Sequence, residues 1–203
     1  MRVFRLLVAS FLAGMCSVAL AVPVTLTMDD LPTQPVDGLA HPTGVSFGVN
    51  TISPGSPVRY GVSAVGTTAF IDGPSIEGSS FVILSLDFDD PTDIFEFSYV
   101  RQTNDTVMNA VGVQLFDMAN ALIGSFSLNA SDQGFGWAEG QFVYSGAAIS
   151  RALLDFSNPS STGLSGTRFA VDNVVFDSQV PEPGTLVLLL LGLAGIGARH
   201  LRA

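Results

Sequence analysis

The 203-residue chain carries eighteen acidic residues against eight basic ones, for a formal charge of −10, and its bases are all arginine. A surface of this sign repels nucleic acid and anionic lipid. A single cysteine, Cys16, excludes a disulfide framework and a cysteine-based metal site.

At the N-terminus, Arg2 and Arg5 precede an apolar run from Leu6 to Leu20, and Ala19-Leu20-Ala21 is a small-x-small cleavage pattern. Residues 1–21 therefore read as a secretory signal peptide, recognised for cleavage through Ala19 and Ala21, with the mature chain starting at Val22. Met15 stands where lipidation of Cys16 would need a small residue, so Cys16 leaves with the signal. Residues 22–179 hold four arginines against seventeen carboxylates, a formal charge of −13, and are long enough for one domain with one core.

Within this body the alternation predicts short strands. Val22 to Met28 reads as the first and breaks at Asp29-Asp30-Leu31-Pro32, after which a proline-rich surface loop runs to His41-Pro42. Gly44–Asn50 and Val58–Val65 follow, separated by a Pro-Gly-Ser-Pro turn, with a further candidate at Thr67–Ile71. Ser80–Phe88 and Ile94–Arg101 read as a hairpin pair joined by Asp89-Asp90-Pro91-Thr92-Asp93. In the second of these, Phe95, Phe97 and Tyr99 share one face. Val107–Phe116 and Leu122–Leu128 form a second pair, and Trp137–Ser145, Ile149–Phe156 and Arg168–Phe176 complete the set. No segment of helical length shows a 3.6-residue repeat. Nine or ten short strands with frequent turns predict an all-β fold, an antiparallel β-sandwich.

Catalytic groups are scarce. His41 is the body's only histidine, so no second one joins it in a metal site or relay. Asp87, Asp89, Asp90 and Asp93 are the densest carboxylates, and their setting around Pro91 is that of a solvated turn, with calcium as the alternative. Trp137, near Phe135 and Tyr144, reads as core, with a sugar-stacking platform as the alternative.

The C-terminal stretch has its own logic. Val180-Pro181-Glu182-Pro183-Gly184 is extended, because the prolines fix φ and bias the residues before them away from helix. Thr185 to Ala198 is uncharged and apolar, yet shorter than the roughly 18–20 residues of a comfortable membrane span. Arg199, His200 and Arg202 follow, a basic end that marks the cytoplasmic side. A proline-flanked acidic motif, a short span and a basic tail in this order resemble the PEP-CTERM sorting signal. That resemblance implies recognition in the inner membrane by an exosortase and processing near Val180, Pro181, Glu182, Pro183 and Gly184. A plain tail anchor is the bland alternative.

The body resembles, more loosely, the jelly-roll ectodomains common among PEP-CTERM proteins. Thr27-Met28-Asp29-Asp30-Leu31 stands where they begin, although Met28 replaces the usual aromatic, and Phe169 to Phe176 is similar to their last strand. Carbohydrate-binding jelly rolls with such a last strand often bind structural calcium there, which implies a site from Asp172 with Asp29 and Asp30. The competing expectation places Asp172 in solvent and Asp29-Asp30 in a plain turn.

The sequence thus predicts an exported protein with three parts: signal peptide 1–21, β-sandwich 22–179 and sorting signal 180–203, the last comprising a short membrane helix at 185–198 and a basic tail. Its expected partners are the secretion machinery, an exosortase, the inner membrane before processing, and exopolysaccharide, with no nucleic acid. The expected destination is the cell envelope, surface or extracellular matrix. The body is read as a non-catalytic module with a structural or adhesive role. The alternatives are a carbohydrate-binding module and a glycoside hydrolase, which would need two facing carboxylates.

Overall fold

A computed structural model describes residues 21–51, 57–62, 68–79, 81–134, 136–157 and 168–179. Residues 1–20 of the expected signal peptide and the sorting segment 180–203 lie outside these residues, and Ala21, its expected last residue, opens the first strand. The body unit, Pro23–Ser178, is described by itself.

The described residues form eleven strands and no helix: β1 Ala21–Leu26, β2 Gln34–Pro35, β3 Ala40–His41, β4 Val45–Thr51, β5 Arg59–Val62, β6 Ser75–Ser79, β7 Val82–Gln102, β8 Val107–Phe116, β9 Leu122–Asp132, β10 Trp137–Asp155 and β11 Arg168–Gln179. Hydrogen bonding links them into one sheet in the order β2-β5-β6-β11-β7-β10-β8-β9, with β1 on β11 and β3-β4 on β7. The sheet closes over itself because β7 and β10 each serve both layers. Val82–Phe88 pairs with β4, and Phe95–Arg101 pairs with β11. β10 follows the same path, pairing its first half with the end of β7 and its second half with β8.

The strand pair expected around Pro91, and the separate strands expected at Trp137–Ser145 and Ile149–Phe156, are therefore corrected: each set is one long, bent strand. In β7 the residues of the main core are Val82, Leu84, Leu86 and Phe88, then Phe95, Phe97 and Tyr99, while Thr92, Ser98, Val100 and Arg101 are buried outside that set. The parity of the main-core set changes from even to odd across the Asp89–Asp93 corner, so both halves face one core from opposite layers. Residues 88–91 have no partner in β10, which has irregular register between Ser145, Ile149 and Arg151. Pro91, lacking an N–H, is tolerated in that gap. Thr92 fixes the corner, donating its hydroxyl to the Ile94 carbonyl at 2.6 Å and accepting the Asp177 N–H at 2.8 Å.

The remaining expectations divide. The β8–β9 hairpin forms as expected, its turn held by Asp117 Oδ1, which accepts the N–H groups of Ala119 and Ala121. β6 is a strand the sequence reading did not find, since Ser-Ile-Glu-Gly-Ser alternates poorly and buries its Glu77. Residues 68–71, expected as strand, are loop, because Glu139 takes the N–H groups of Ala69 and Phe70. The 31–42 loop carries the short strands β2 and β3 and buries Val36 and His41.

Between the layers lies a continuous aromatic core in which Phe97 packs on Phe95, Tyr99 and Phe142 at centroid distances of 5.4–5.8 Å. Tyr99 reaches the far end of the sandwich and donates to the Asn129 carbonyl at 2.7 Å, and burial pushes its hydroxyl pKa up. Gly140 makes this possible, because a Cβ there would lie 2.4 Å from the Tyr99 hydroxyl oxygen and 3.0 Å from the Asn129 carbonyl. Gly140→Ala is therefore expected to lower stability by about 1–3 kcal/mol through overpacking and loss of that bond. A shift of the urea midpoint with unchanged slope checks it; an unshifted midpoint would contradict this account of the contact.

Candidate functional site

Three polar groupings and one open face are candidates. The first centres on Asp30, at the break after β1. Asp30 Oδ1 accepts the Tyr60 hydroxyl at 2.6 Å, and Oδ2 lies 2.6 Å from His41 Nε2. His41 is buried, stacks on Tyr60 at 5.8 Å, and has Nδ1 2.7 Å from Thr43 Oγ1. Burial pushes the Asp30 carboxyl up, but the Tyr60 and His41 partners outweigh it and hold the pKa below its ordinary value. His41 thus anchors the 29–33 loop on the core.

The second grouping is Asp172 on β11. The expectation of a solvent-facing Asp172 is corrected: the residue has no exposed surface. β1 does pair with β11, as the calcium expectation required. One carboxylate oxygen, Oδ1, accepts the Asn173 N–H at 2.7 Å, while Oδ2 has no hydrogen-bond partner. Burial raises its pKa to about 6, and the nearby carboxylates of Asp72 and Asp29 add to the rise. Of the expected set, Asp30 is bound to Tyr60 and His41, exposed Asp29 accepts the Thr27 hydroxyl at 2.6 Å, and the charges of Asp72 and Asp29 act on Asp172. Among the described residues no three such side chains stand gathered as a metal site. The orphaned oxygen is nevertheless the kind of group a hard cation satisfies. Nothing in the local sequence marks Asp72, which a loop delivers from a hundred residues away.

A third grouping is the strap at 68–72. Glu139, buried on β10, receives the N–H groups of Ala69 and Phe70 at 2.8–3.0 Å, and Asn173 Nδ2 donates to the Phe70 carbonyl at 2.9 Å. Under this strap Trp137 packs with Ile71, Val100 and Ala170, and only 8% of it is exposed. Trp137 is core here and offers no sugar platform. Phe135 lies outside the described residues, and Tyr144 is spent on the Ala147 carbonyl at 2.7 Å.

The Asp89–Asp93 corner is exposed at Asp89, Asp90 and Asp93. Burial and hydrogen-bond contact with Asp93 raise the Asp177 pKa. Two carboxyls in direct contact are closer than the roughly 5 Å of a retaining glycosidase pair. Asp87 points elsewhere, pairing with Arg151 at 2.5 Å.

The open face is the outward side of the layer β4-β7-β10-β8-β9. Cross-strand partners share a face, so the register places Gly48, Ser85, Leu153, Gln114 and Ser125 in one row across five strands. Asp87, Arg151 and Phe116 form the row beside it, and Ile83, Asp155, Gly112 and Ser127 the row on its other side. A depression of about 120 Å³ lies at its centre, between Ile83, Leu153, Gln114, Ser125 and Phe126.

The segment that follows β11 decides the identification. Residues 179–203 are a PEP-CTERM protein-sorting motif. The PEP-CTERM motif marks an exported, membrane-anchored precursor sorted for the cell surface by an exosortase-dependent route. Among the described residues no helix is long and apolar enough to cross a membrane. No curated protein sequence matches the chain. In solved structures the body is similar to a carbohydrate-binding module of family 29, at 11% identity and TM-score 0.41 over 78% of this chain and 89% of that one. It is also similar to the CBM22-1 xylan-binding domain of Paenibacillus barcinonensis Xyn10C, at 11% identity and TM-score 0.41 over 81% and 99%. The arabinose-bound MgGH51 α-L-arabinofuranosidase aligns at 12% identity and TM-score 0.46, over 81% of this chain and 27% of that enzyme.

Asp172 gives a signed prediction. Its folded pKa of about 6 exceeds its ordinary 3.8, so the folded state holds this proton more tightly. Its contribution is most favourable below about pH 4 and is lost as pH rises through about 6, by up to roughly 3 kcal/mol. In chelator, Asp172→Asn is expected to raise stability at pH 7 by about 1–3 kcal/mol and to flatten the dependence between pH 4 and 7. Urea titrations of both proteins across that range measure it, and parallel pH profiles would refute it.

Proposed function

We propose that this chain is a precursor exported through its signal at residues 1–21, held in the inner membrane by the segment at 185–198, and cut or exchanged by an exosortase near Val180–Gly184. The product displays the acidic sandwich of residues 22–179 at the cell surface or in the exopolysaccharide as a non-catalytic structural or adhesive module. The observation that carries the reading is the PEP-CTERM motif at 179–203, which begins where β11 ends, at Gln179. A second reading, a carbohydrate-binding module, is favoured by the open five-stranded face with its central depression.

Mass spectrometry of the mature protein tests the processing. Protein from the native host is expected to lack Leu186 to Ala203, and protein from a host without an exosortase to retain them. Glu182→Ala is expected to leave unprocessed precursor in the membrane. Intact C-terminal peptide on most native surface protein would overturn the proposal.

A structural calcium ion held by Asp172, with Asp29 and Asp72 beside it and Asp30 bound to its own partners, belongs to the same proposal. Calcium at about a hundredfold over its dissociation constant would add roughly 2.7 kcal/mol, on the order of 5–10 °C in Tm for this size of domain. Melts in chelator, calcium, magnesium and matched sodium chloride separate this from general screening of an acidic surface. A calcium response no larger than that of salt, or one that Asp172→Asn leaves intact, would remove the site.

A further inference from the structure

The carbohydrate-binding reading leaves open which part of the sandwich meets a ligand and of what chemistry, and the open face answers both. This inference rests on that reading. Layers of a sandwich bury one side of each strand and leave the other to solvent. Here the outward side nevertheless keeps Ile83, Leu153 and Phe116 half-buried, and a depression opens between Leu153 and Gln114. Four inter-strand steps of about 4.8 Å make the row from Gly48 to Ser125 about 19 Å long, an extended track crossing the strands.

Charge narrows the ligand. The body carries −13, and the paired outward positions of these five strands hold three charged side chains, Asp87, Asp155 and Arg151, of which Asp155 lines the depression. Exposed Asp89 follows at the corner, and Asp37 accepts the Val49 N–H at the β4 edge. Arg151 neutralises Asp87 at 2.5 Å and is steadied by Asn120 Oδ1 at 3.2 Å. Asp155 is engaged by Ser157, whose N–H it accepts at 2.7 Å. With Arg151 set against Asp87, the track keeps one carboxylate, Asp155, and holds no cationic excess to attract a polyanion. It offers hydroxyl and amide groups at Ser85, Gln114 and Ser125 beside the aliphatic surface of Leu153. Such a mixture suits the hydroxyls and C–H faces of a sugar chain.

We infer that the β4-β7-β10-β8-β9 face binds a neutral polysaccharide, laid across the strands and centred on the depression between Leu153 and Gln114. Affinity electrophoresis of the full chain in detergent micelles tests it, with gels containing dextran, galactomannan, hydroxyethyl cellulose or anionic carboxymethyl cellulose. At least one neutral polymer is expected to retard the protein. Gln114→Arg and Ser125→Arg, both at exposed positions, are each expected to weaken that retardation tenfold or more with circular dichroism unchanged. Val143→Glu, exposed on the other layer, is expected to leave it as it was. Retardation by a neutral polymer that both arginine variants preserve would overturn this face while the carbohydrate-binding reading stands. Strongest retardation by carboxymethyl cellulose would overturn the neutral ligand. Retardation by none of the four would overturn this inference and the carbohydrate-binding reading together, whereas the sorting proposal is read independently from the C-terminal mass.

Discussion

The structure depends on the corner at Asp89–Asp93. A sandwich core needs two layers facing each other, and here the layers are joined by a strand that leaves one and enters the other without a hairpin. The corner changes the parity of the inward positions, so Leu84 and Leu86 meet Phe95 and Phe97 across one core. Thr92 ties the bend to β11 through the Asp177 N–H, which couples the corner to the last strand of the body. Because β11 lies between β6 and β7, the sandwich is complete only when its final strand is in place.

Buried polar side chains do a second kind of work. Glu139 substitutes for a strand partner by taking two N–H groups of the 68–71 strap, and Asp30 joins His41 to Tyr60 across a loop rich in proline. Glu139 is buried and Asp30 is exposed, and each is compensated by the backbone or hydroxyl donors it accepts. Two groups are compensated less fully. Arg101 has no exposed surface, donates to the Phe156 carbonyl at 2.8 Å and lies over the Phe156 ring, yet its Nε and Nη2 have no partner among the described residues. Burial lowers its pKa to about 10, with the Asp155 charge opposing the fall. Asp172 is the acidic counterpart, with one carboxylate oxygen left without a partner among the described residues and a pKa raised by burial.

Address and body divide the chain's chemistry. The sorting motif begins where the last strand stops, so the folded unit carries almost no linker of its own before it. On the open face of β4-β7-β10-β8-β9 the body pairs Arg151 with Asp87 beside Asp155.

What the sequence determined by itself follows from local patterns. Two prolines flanking Glu182, a short apolar run and terminal arginines are contiguous, so the PEP-CTERM motif was legible without any fold. Period-two alternation likewise located most strands and the burial of Phe95, Phe97 and Tyr99. Tertiary structure decided the rest. Pro91 and its aspartates look like a hairpin turn locally, and only pairing with β4 on one side and β11 on the other shows one bent strand. Nor does local sequence reveal that Asp30 is taken by Tyr60 thirty residues on, or that Asp72 stands by Asp172. The open face is invisible for the same reason: Ser85, Leu153, Gln114 and Ser125 become a row only through the register of strands distant in the chain.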